Sequence, residues 1–456
     1  MPWGEVIYMR EQTLPMELPE PEKKAARPPT RPDEARVRRP ERSQVEMMLR
    51  NLDSLVAEDH PVRAIWAFLQ GLDLTDFYGS IKSVVDRPGR PASDPQVLLA
   101  LWVYATAEGI GSARYLDRLC KEHDVYRWLC GGVPVDYHIL ADFRLAHQEA
   151  LDRLLSEIVG SLMSQKLVTL KMVAQDGVRV RSSAGASSFH RRSHLEECLE
   201  KAEEQVKRLA QERDHPDPGV SARQRAARER AARERADRVQ EALRQLSEVQ
   251  AVKNRQQRTL SKDKRSKIRE PRVSATDPEA RLMKMPDGGW RPAYNVQLAT
   301  DVGSGVIVGA AVVNQGNDSG QGPPLEEQVA QRSGVHPKAY LVDGGYAQRD
   351  TITILTGRQV TVYAPVRPPR TTSSGRERRS PRKDDSPAVM AWRERMETDE
   401  AKRIYKMRAA TAEWANAQVR QHGLLSFTVR GLTKVLSVVL LIAVVHNILR
   451  GLALTA

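Results

Sequence analysis

Cysteine, aromatic residues and long apolar runs are all scarce in this chain of 456 residues. The three cysteines, Cys120, Cys130 and Cys198, are too few for a disulfide framework, which argues against a small disulfide-stapled secreted domain. The N-terminal segment lacks the apolar stretch of a secretory signal peptide. The longest apolar run, at 435–445, is shorter than the roughly 18 residues that a membrane span needs. The sequence therefore predicts a cytoplasmic protein that acts without a membrane.

Positive charge is present in excess. The chain has 71 Lys and Arg residues against 58 Asp and Glu residues, a formal net charge of +13 and a pI near 9.7. Lys and Arg that contact phosphates release counterions, so such an excess favours a polyanionic partner such as nucleic acid. A basic, solvated surface without a partner is the alternative.

The N-terminal third divides into two segments of different composition. Residues 1–43 are rich in proline and charge and have little to bury, so they predict a disordered basic arm. Residues 44–165 have helical periodicity, with Val62, Ile65 and Leu69 spaced along one helical face. This segment predicts an all-helical domain.

Residues 166–456 predict a mixed α/β domain, because short apolar strands alternate with helical stretches. The first strand is expected at 167–182, a long helix at about 390–421 and an apolar helix at 432–450. The segment 190–265 interrupts this domain, with apolar residues at alternating spacings of four and three before a turn and an apolar stripe after it. It predicts an inserted antiparallel helical hairpin.

Two aspartates, Asp176 and Asp343, are each predicted to end an apolar strand, and each precedes a glycine. Ligands of open α/β sheets gather at the carboxyl ends of strands, so the two carboxylates would share one space if their strands are neighbours. Close carboxylates attract a cation, and hard oxygen ligands suit Mg²⁺ or Mn²⁺. The alternative is that each Asp-Gly pair is an ordinary turn or a helix cap.

A pair of divalent ions usually needs three or more carboxylates. The predicted helix at 390–421 offers four glutamates, Glu394, Glu397, Glu400 and Glu413. Most glutamates in a basic helix are surface ion-pair partners, so composition alone does not select one of them.

The segment 404–420 resembles the signature around the last acid of the DDE transposases of bacterial insertion sequences. Tyr405, Arg408 and Glu413 match that signature, and Arg420 stands where lysine is usual. Arginine keeps the charge but replaces a flexible point donor with a planar fork.

The resemblance continues along residues 45–450, with the family's segments in the expected order. The segments around Asp176 and Asp343 resemble those of the family's first and second acids, and the pair Asn317–Asp318 resembles a segment between them. The helical segment resembles the InsH-like N-terminal domain of the same transposases.

The resemblance implies an RNase H-like catalytic domain in which Asp176, Asp343 and Glu413 hold two Mg²⁺ ions, with Mn²⁺ as a substitute. It implies cleavage and strand transfer at the terminal inverted repeats of an insertion sequence. The implied partners are those repeats, target DNA and further copies of the chain in a dimer or higher oligomer. The implied location is the bacterial cytoplasm, at the nucleoid.

Six residues are predicted to contact DNA. Tyr405, Arg408 and Arg420 belong to the signature helix, and Arg408 is expected to hold flanking DNA or a structural carboxylate. Arg179 and Arg181 belong to the basic tail that follows Asp176. These five are joined by Arg144, which ends a stretch that is either a DNA-reading helix or a plain packing helix.

A basic loop at 367–388 is a further candidate for tracking phosphates. Two other functions remain open at this stage: a domesticated DNA-binding protein without catalysis, and a Mg²⁺-dependent structure-specific nuclease without strand transfer.

Overall fold

The computed structural model describes residues 42–45, 47, 49–83, 91–214, 219–258, 270–366 and 385–455. The predicted basic arm at 1–43, apart from its last two residues, lies outside this part of the chain. Three further predicted segments lie outside it: the turn of the hairpin at 215–218, the last residues of the hairpin at 259–265, and most of the basic loop at 367–388.

The N-terminal part of the described chain is helical, as predicted. The seven helices are α1 (Pro61–Gln70), α2 (Thr75–Tyr78), α3 (Pro95–Ala107), α4 (Ala113–Glu122), α5 (Asp124–Cys130), α6 (Tyr137–Ala146) and α7 (Gln148–Ser164). Helix α3 begins where its sequence predicts, because Asp94 accepts a hydrogen bond from the Gln96 amide and Pro95 needs no donor in the first turn. Its residues are buried on nearly every side, so α3 is the central helix of this segment.

A six-stranded mixed sheet follows. Its strands are β1 (Met172–Arg181), β4 (Arg281–Lys284), β5 (Trp290–Asp301), β6 (Ile307–Val313), β7 (Ala339–Leu341) and β8 (Thr361–Tyr363), and β2 (Phe189–His190) and β3 (Val273–Ser274) form a separate two-stranded ladder. The order is β4-β5-β1-β7-β8, with β6 also paired to β5. β5 is antiparallel to β1, β4 and β6, whereas β7 is parallel to β1 and to β8. This is an RNase H-like arrangement, and the predicted fold class is confirmed.

Strand β1 differs from the prediction at one point that matters for the site. Asp176 was expected to end its strand, but β1 continues through Gly177 to Arg181. The continuation is possible because β5 pairs with β1 as far as Arg181, whereas β7 pairs only with its first residues. Asp176 therefore lies where β1 loses its parallel neighbour while its antiparallel neighbour continues.

The predicted helical insertion is present as two long helices, α8 (Arg192–Asp214) and α9 (Ala222–Arg258). They run antiparallel, since Arg192 at the start of α8 donates a hydrogen bond to Ser247 near the end of α9. Leu195 packs with Ala242, Leu246 and Val273 in a small apolar cluster at the base of the pair. The spacing of apolar residues thus predicted the contact face of both helices.

Helices α10 (Gly322–Ser333) and α11 (Arg349–Gly357) lie between the last strands, and three helices close the chain. The single long helix expected at about 390–421 is two helices, α12 (Pro387–Glu397) and α13 (Asp399–Gln421). Thr398 separates them: its backbone is extended, and its hydroxyl accepts a hydrogen bond from the Ala401 amide as the N-cap of α13.

The last helix, α14 (Leu432–Thr455), is longer than its predicted range of 432–450. It has 24 residues, and an 18-residue window of it has a mean hydropathy of 2.2, so by length and composition alone it could cross a membrane. Of that window, 67% is buried within the protein. Asn447 fixes it to the sheet, donating to the Ile307 carbonyl and accepting from the Ile307 amide, each at 2.8 Å. Helix α14 also packs on α7 and α3, and residues Arg50–Ala456 form one unit.

Candidate active site

Asp176 and Asp343 lie at equivalent positions on neighbouring strands. Ala174 of β1 pairs in parallel with Leu341 of β7, and each aspartate comes two residues later in its own chain segment. The negative charge of Asp343 is close enough to raise the pKa of the Asp176 carboxyl. The pairing of strands thus brings together the two carboxylates that the sequence singles out.

Two side chains of helix α13 hold the Asp176 carboxylate. Arg408 Nη2 lies 2.7 Å from Asp176 Oδ1, and Asn416 Nδ2 lies 2.9 Å from Asp176 Oδ2. Burial raises the pKa of Asp176, while the Arg408 charge and these hydrogen bonds lower it. Arg408 and Asn416 are two turns apart on one helical face, so α13 presents a single face to this acid.

The prediction left open whether Arg408 contacts DNA or a structural carboxylate. The structure places it on the carboxylate of Asp176, with only 14% of its side chain exposed. Asn416 was not among the predicted residues. Its only sequence signal is its position two turns after Arg408, which becomes informative once the contact of Arg408 is known.

Asp343 ends its strand segment as predicted, in a tight turn. Its Oδ1 atom accepts a hydrogen bond of 2.7 Å from the Gly345 amide. A side chain at position 345 would begin 2.9 Å from that same oxygen, so glycine leaves the carboxylate room.

Tyr405 of α13 lies beside both aspartates. Burial raises the pKa of its hydroxyl, Asp343 and Asp176 raise it further, and the neighbouring Arg408 guanidinium lowers it. Tyr405 and Arg408, the first two residues of the recognised signature, therefore both face the aspartate pair.

A third carboxylate, Asp318, reaches the site from the loop before α10. Its Oδ1 atom accepts hydrogen bonds from Asn295 Nδ2 at 2.8 Å and from Gln297 Nε2 at 2.9 Å. Both amides belong to β5 and are almost fully buried. The sequence comparison noted the Asn317–Asp318 pair but did not predict it as part of the site, because its amide partners are far away in the chain.

The same side of the sheet contains a chain of buried hydrogen bonds. Tyr346 donates to Gln297 Oε1 at 2.5 Å, Gln175 donates to the same oxygen at 2.8 Å, and Tyr340 donates to Gln175 at 2.9 Å. Burial raises the pKa of Tyr346, and the charges of Asp318, Asp176 and Asp343 raise it further. The three carboxylates thus surround one buried tyrosine.

The remaining signature residues lie on another face of α13. Glu413 and Arg420 are both exposed, and they lie on nearly the same helical face, as their spacing of seven predicts. Among the described residues, Glu413 has no hydrogen-bond or ion-pair partner. The structure therefore brings Asp176, Asp343, Arg408 and Tyr405 together and leaves Glu413 exposed to solvent.

The three predicted basic residues outside α13 have different environments. Arg181 is exposed, and Arg179 is half-buried and donates to the Lys284 carbonyl at 3.1 Å. Arg144 corrects the prediction: it is 6% exposed, its guanidinium lies 4.3 Å over the Trp102 ring, and it donates to the Gly111 carbonyl at 2.8 Å. Burial lowers its pKa to about 10. Arg144 is a packing residue, so α6 is the plain packing helix of the two alternatives.

The donors of the site suit a hard divalent cation, since they are carboxylate oxygens with an amide carbonyl beside them. Asn295 Oδ1 is buried and has no hydrogen-bond partner among the described residues. No three Asp, Glu, His or Cys side chains in the part of the chain that the structure describes are already gathered at metal-binding distances. By donor chemistry the site fits Mg²⁺ or Mn²⁺.

The strand order and the paired aspartates place the chain in the RNase H-like class. Two family models match its sequence: Transposase domain (DUF772) at residues 50–145 and Transposase DDE domain at residues 365–452. Both models describe transposase domains, which supports a DDE-type insertion sequence transposase, a family whose substrate is DNA. The first match covers most of the helical segment, and the second contains the Tyr405 signature. No curated protein and no solved structure gives a significant match.

Proposed function

We propose that this transposase binds the terminal inverted repeats of its insertion sequence and catalyses metal-dependent DNA cleavage and strand transfer. The observation that carries the proposal is the parallel register of β1 and β7, which sets Asp176 and Asp343 side by side. Glu413 is the third acid that the family resemblance implies. All three acids of the signature are retained in this chain.

The carboxylates of Asp176, Asp343 and Glu413 would hold two Mg²⁺ ions, or Mn²⁺ in their place. When bound, such ions activate an attacking hydroxyl and stabilise the leaving oxygen in a displacement at phosphorus. The chain itself holds Asp176 in one orientation through Arg408 and Asn416. It holds Asp343 through the Gly345 amide. Carboxylates fixed in this way need little reorganisation when the site is loaded.

Arg408 has a second effect on this site. Its guanidinium neutralises the Asp176 carboxylate, which half-burial would otherwise leave without a compensating charge. A cation that binds Asp176 provides the same compensation, so loading the site would free Arg408 for the negatively charged substrate.

DNA contacts outside the acids are proposed for exposed basic residues of the catalytic domain. Arg181 and Arg420 are exposed and can reach phosphates without breaking an interaction described above. Arg179 and Tyr405 are half-buried and would contribute at the margin of the site. The helical domain at 44–165 would bind the ends, and the domain at 166–456, with the hairpin inserted at 190–265, would carry the chemistry.

The protein is further proposed to act in the cytoplasm at the nucleoid, as a dimer or higher oligomer on two DNA ends. Two rivals predict different products. A structure-specific nuclease would cleave the end but not join it, and a domesticated DNA-binding protein would bind without cleaving. The presence of all three acids argues against a DNA-binding protein without catalysis.

The test is Mg²⁺-dependent cleavage and joining of the cognate end by the wild type and by Asp343→Asn. Removal of this carboxylate is expected to lower the rate by about a hundredfold or more, with end binding kept. Asp350→Asn, which removes an exposed carboxylate at the start of α11, is the matched control and should act as wild type. A wild-type rate in Asp343→Asn would refute the assignment. Cleavage without joining would favour the nuclease, and binding alone the DNA-binding protein.

A further inference from the structure

Asp318 is a carboxylate of this site to which the family resemblance assigns no role. Its side chain is half-buried, and its Oδ1 atom is fixed by the buried amides of Asn295 and Gln297. Among the residues that the structure describes, none donates a hydrogen bond to its Oδ2 atom. One oxygen is therefore held by the fold while the other is available to a ligand.

The available oxygen lies near Asp343. A side-chain carbon at position 345 would lie 2.9 Å from Asp343 Oδ1 and 3.6 Å from Asp318 Oδ2. Both carboxylates thus border the small space beside Gly345. On the β1 side, a Cβ at position 177 would collide with Asp318 Oδ1. Gly177 and Gly345 are therefore the glycines that leave space for Asp318.

A second observation points independently to a cation. Asn295 is 1% exposed, and its Oδ1 atom is buried without a hydrogen-bond partner among the described residues. This oxygen would lie 2.9 Å from a Cβ at position 177, beside the Asp318 carboxylate. A buried acceptor without a donor is costly, and a bound cation or its water would satisfy it.

We propose that Asp318 is a further metal-ligating residue of the catalytic site, sharing a divalent cation with Asp343. The proposal rests on the proposed function only in placing the site, and it adds an acid to Glu413 rather than replacing it. The site would then draw carboxylates from β1, from the end of β7, from the loop before α10 and from α13. Charge supports this, because Arg408 pairs with Asp176, whereas among the described residues no cationic side chain pairs with Asp318 or Asp343.

Mn²⁺ binding to the DNA-free protein tests the proposal without any enzymatic readout. Calorimetry and the Mn²⁺ paramagnetic resonance signal would give the affinity and the number of ions. Asp318→Asn keeps the size of the side chain and an oxygen that can accept from Asn295 and Gln297, so the fold should be retained. We expect it to weaken Mn²⁺ binding by about tenfold or more, or to remove one ion. Asp350→Asn should bind as wild type.

Asp318→Glu separates a ligand from a structural residue. It keeps the negative charge with a longer side chain, so it should recover part of the Mn²⁺ affinity that Asp318→Asn loses. Thermal unfolding with and without Mn²⁺ gives a further measure, since a ligand that binds the folded state raises its midpoint. A smaller rise for Asp318→Asn than for wild type is expected.

The outcomes distinguish this proposal from the proposed function. Wild-type Mn²⁺ affinity, ion number and thermal shift in Asp318→Asn, with weaker binding in Asp343→Asn, would overturn the role of Asp318 and leave the transposase function intact. Weaker Mn²⁺ binding by Asp318→Asn in a protein that neither cleaves nor joins DNA would support the metal site and refute the enzymatic function.

Discussion

Arg408 Nη2 lies 2.7 Å from Asp176 Oδ1, although 232 residues separate the two in the chain. This ion pair connects α13, the helix that contains the signature, to β1, the central strand of the sheet. It also places a fixed positive charge on a carboxylate that we propose binds a cation. The Arg408 guanidinium and a bound cation would each neutralise the Asp176 carboxylate.

Arg408→Ala should destabilise the metal-free protein by about 1–3 kcal/mol, because it leaves a partly buried carboxylate without its partner. In excess Mg²⁺ the loss should be smaller, since the cation replaces the missing charge at Asp176. Urea unfolding with chelator and with Mg²⁺ measures both values. Arg403→Ala, an exposed position on the same helix, is the control. An equal loss of stability with chelator and with Mg²⁺ would contradict the idea that the cation replaces the charge of Arg408.

Gly177→Ala should disturb the Asp318 carboxylate, because the new carbon would collide with its Oδ1 atom. It would also lie 2.6 Å from Gln297 Nε2 and 2.9 Å from Asn295 Oδ1. Overpacking of this kind costs about 1–3 kcal/mol, and DNA cleavage should fall with it. Gly160→Ala, at an exposed helical position with nothing within 4 Å, makes the same chemical change and should be neutral or stabilising. Full activity and stability in Gly177→Ala would show that the loop of Asp318 moves freely.

Substitutions of Arg144 and Arg420 should distinguish a packing role from a DNA-contact role. Arg144→Ala removes the stack on Trp102 and the bond to the Gly111 carbonyl, with an expected loss of about 2–4 kcal/mol. It should leave the salt dependence of DNA binding by the folded protein unchanged. Arg420→Ala should do the reverse, lowering the salt slope by about one with little effect on stability. A reduced slope in Arg144→Ala would show that its guanidinium leaves the core when DNA binds.

His446 should contribute to instability in acid. Burial lowers its pKa to about 4, and the nearby charges of His422 and Arg450 also lower it. The unfolded chain takes up this proton near pH 6.5, so stability should fall as pH drops from about 6.5 to about 4, by up to about 3 kcal/mol. His446→Gln should reduce the slope of the unfolding free energy against pH by the equivalent of one proton between about pH 6.5 and about pH 4. The exposed His138→Gln is the control, and equal slopes in the two variants would exclude His446 as the source.

Local patterns predicted the elements of this fold well. Helix α3 begins at Asp94 and Pro95, whose capping chemistry needs no distant partner. The hairpin helices α8 and α9 follow the spacing of their apolar residues. These signals are local because they depend on backbone hydrogen bonds and on residues a few positions apart.

Two of the three wrong predictions depended on contacts with distant parts of the chain, and the third depended on a local cap. Asp176 was taken for a strand end because Gly177 resembles a turn signal, but β5 keeps the strand extended beyond it. The helix expected at 390–421 is divided at Thr398, whose cap competes with a continuous apolar pattern. Arg144 was predicted to contact DNA, and its burial follows from the distant Trp102 ring and Gly111 carbonyl.

The sequence by itself determined the fold class, the family and the pair Asp176 and Asp343, because strand ends, glycines and the signature helix are local and ordered along the chain. Only the tertiary structure decided which side chains complete the site. It placed Arg408 and Asn416 on Asp176, and it placed Asp318 beside Gly177 of β1 and Gly345 of the turn after Asp343. Such partners depend on strand register and helix packing across more than two hundred residues, which local spacing does not encode.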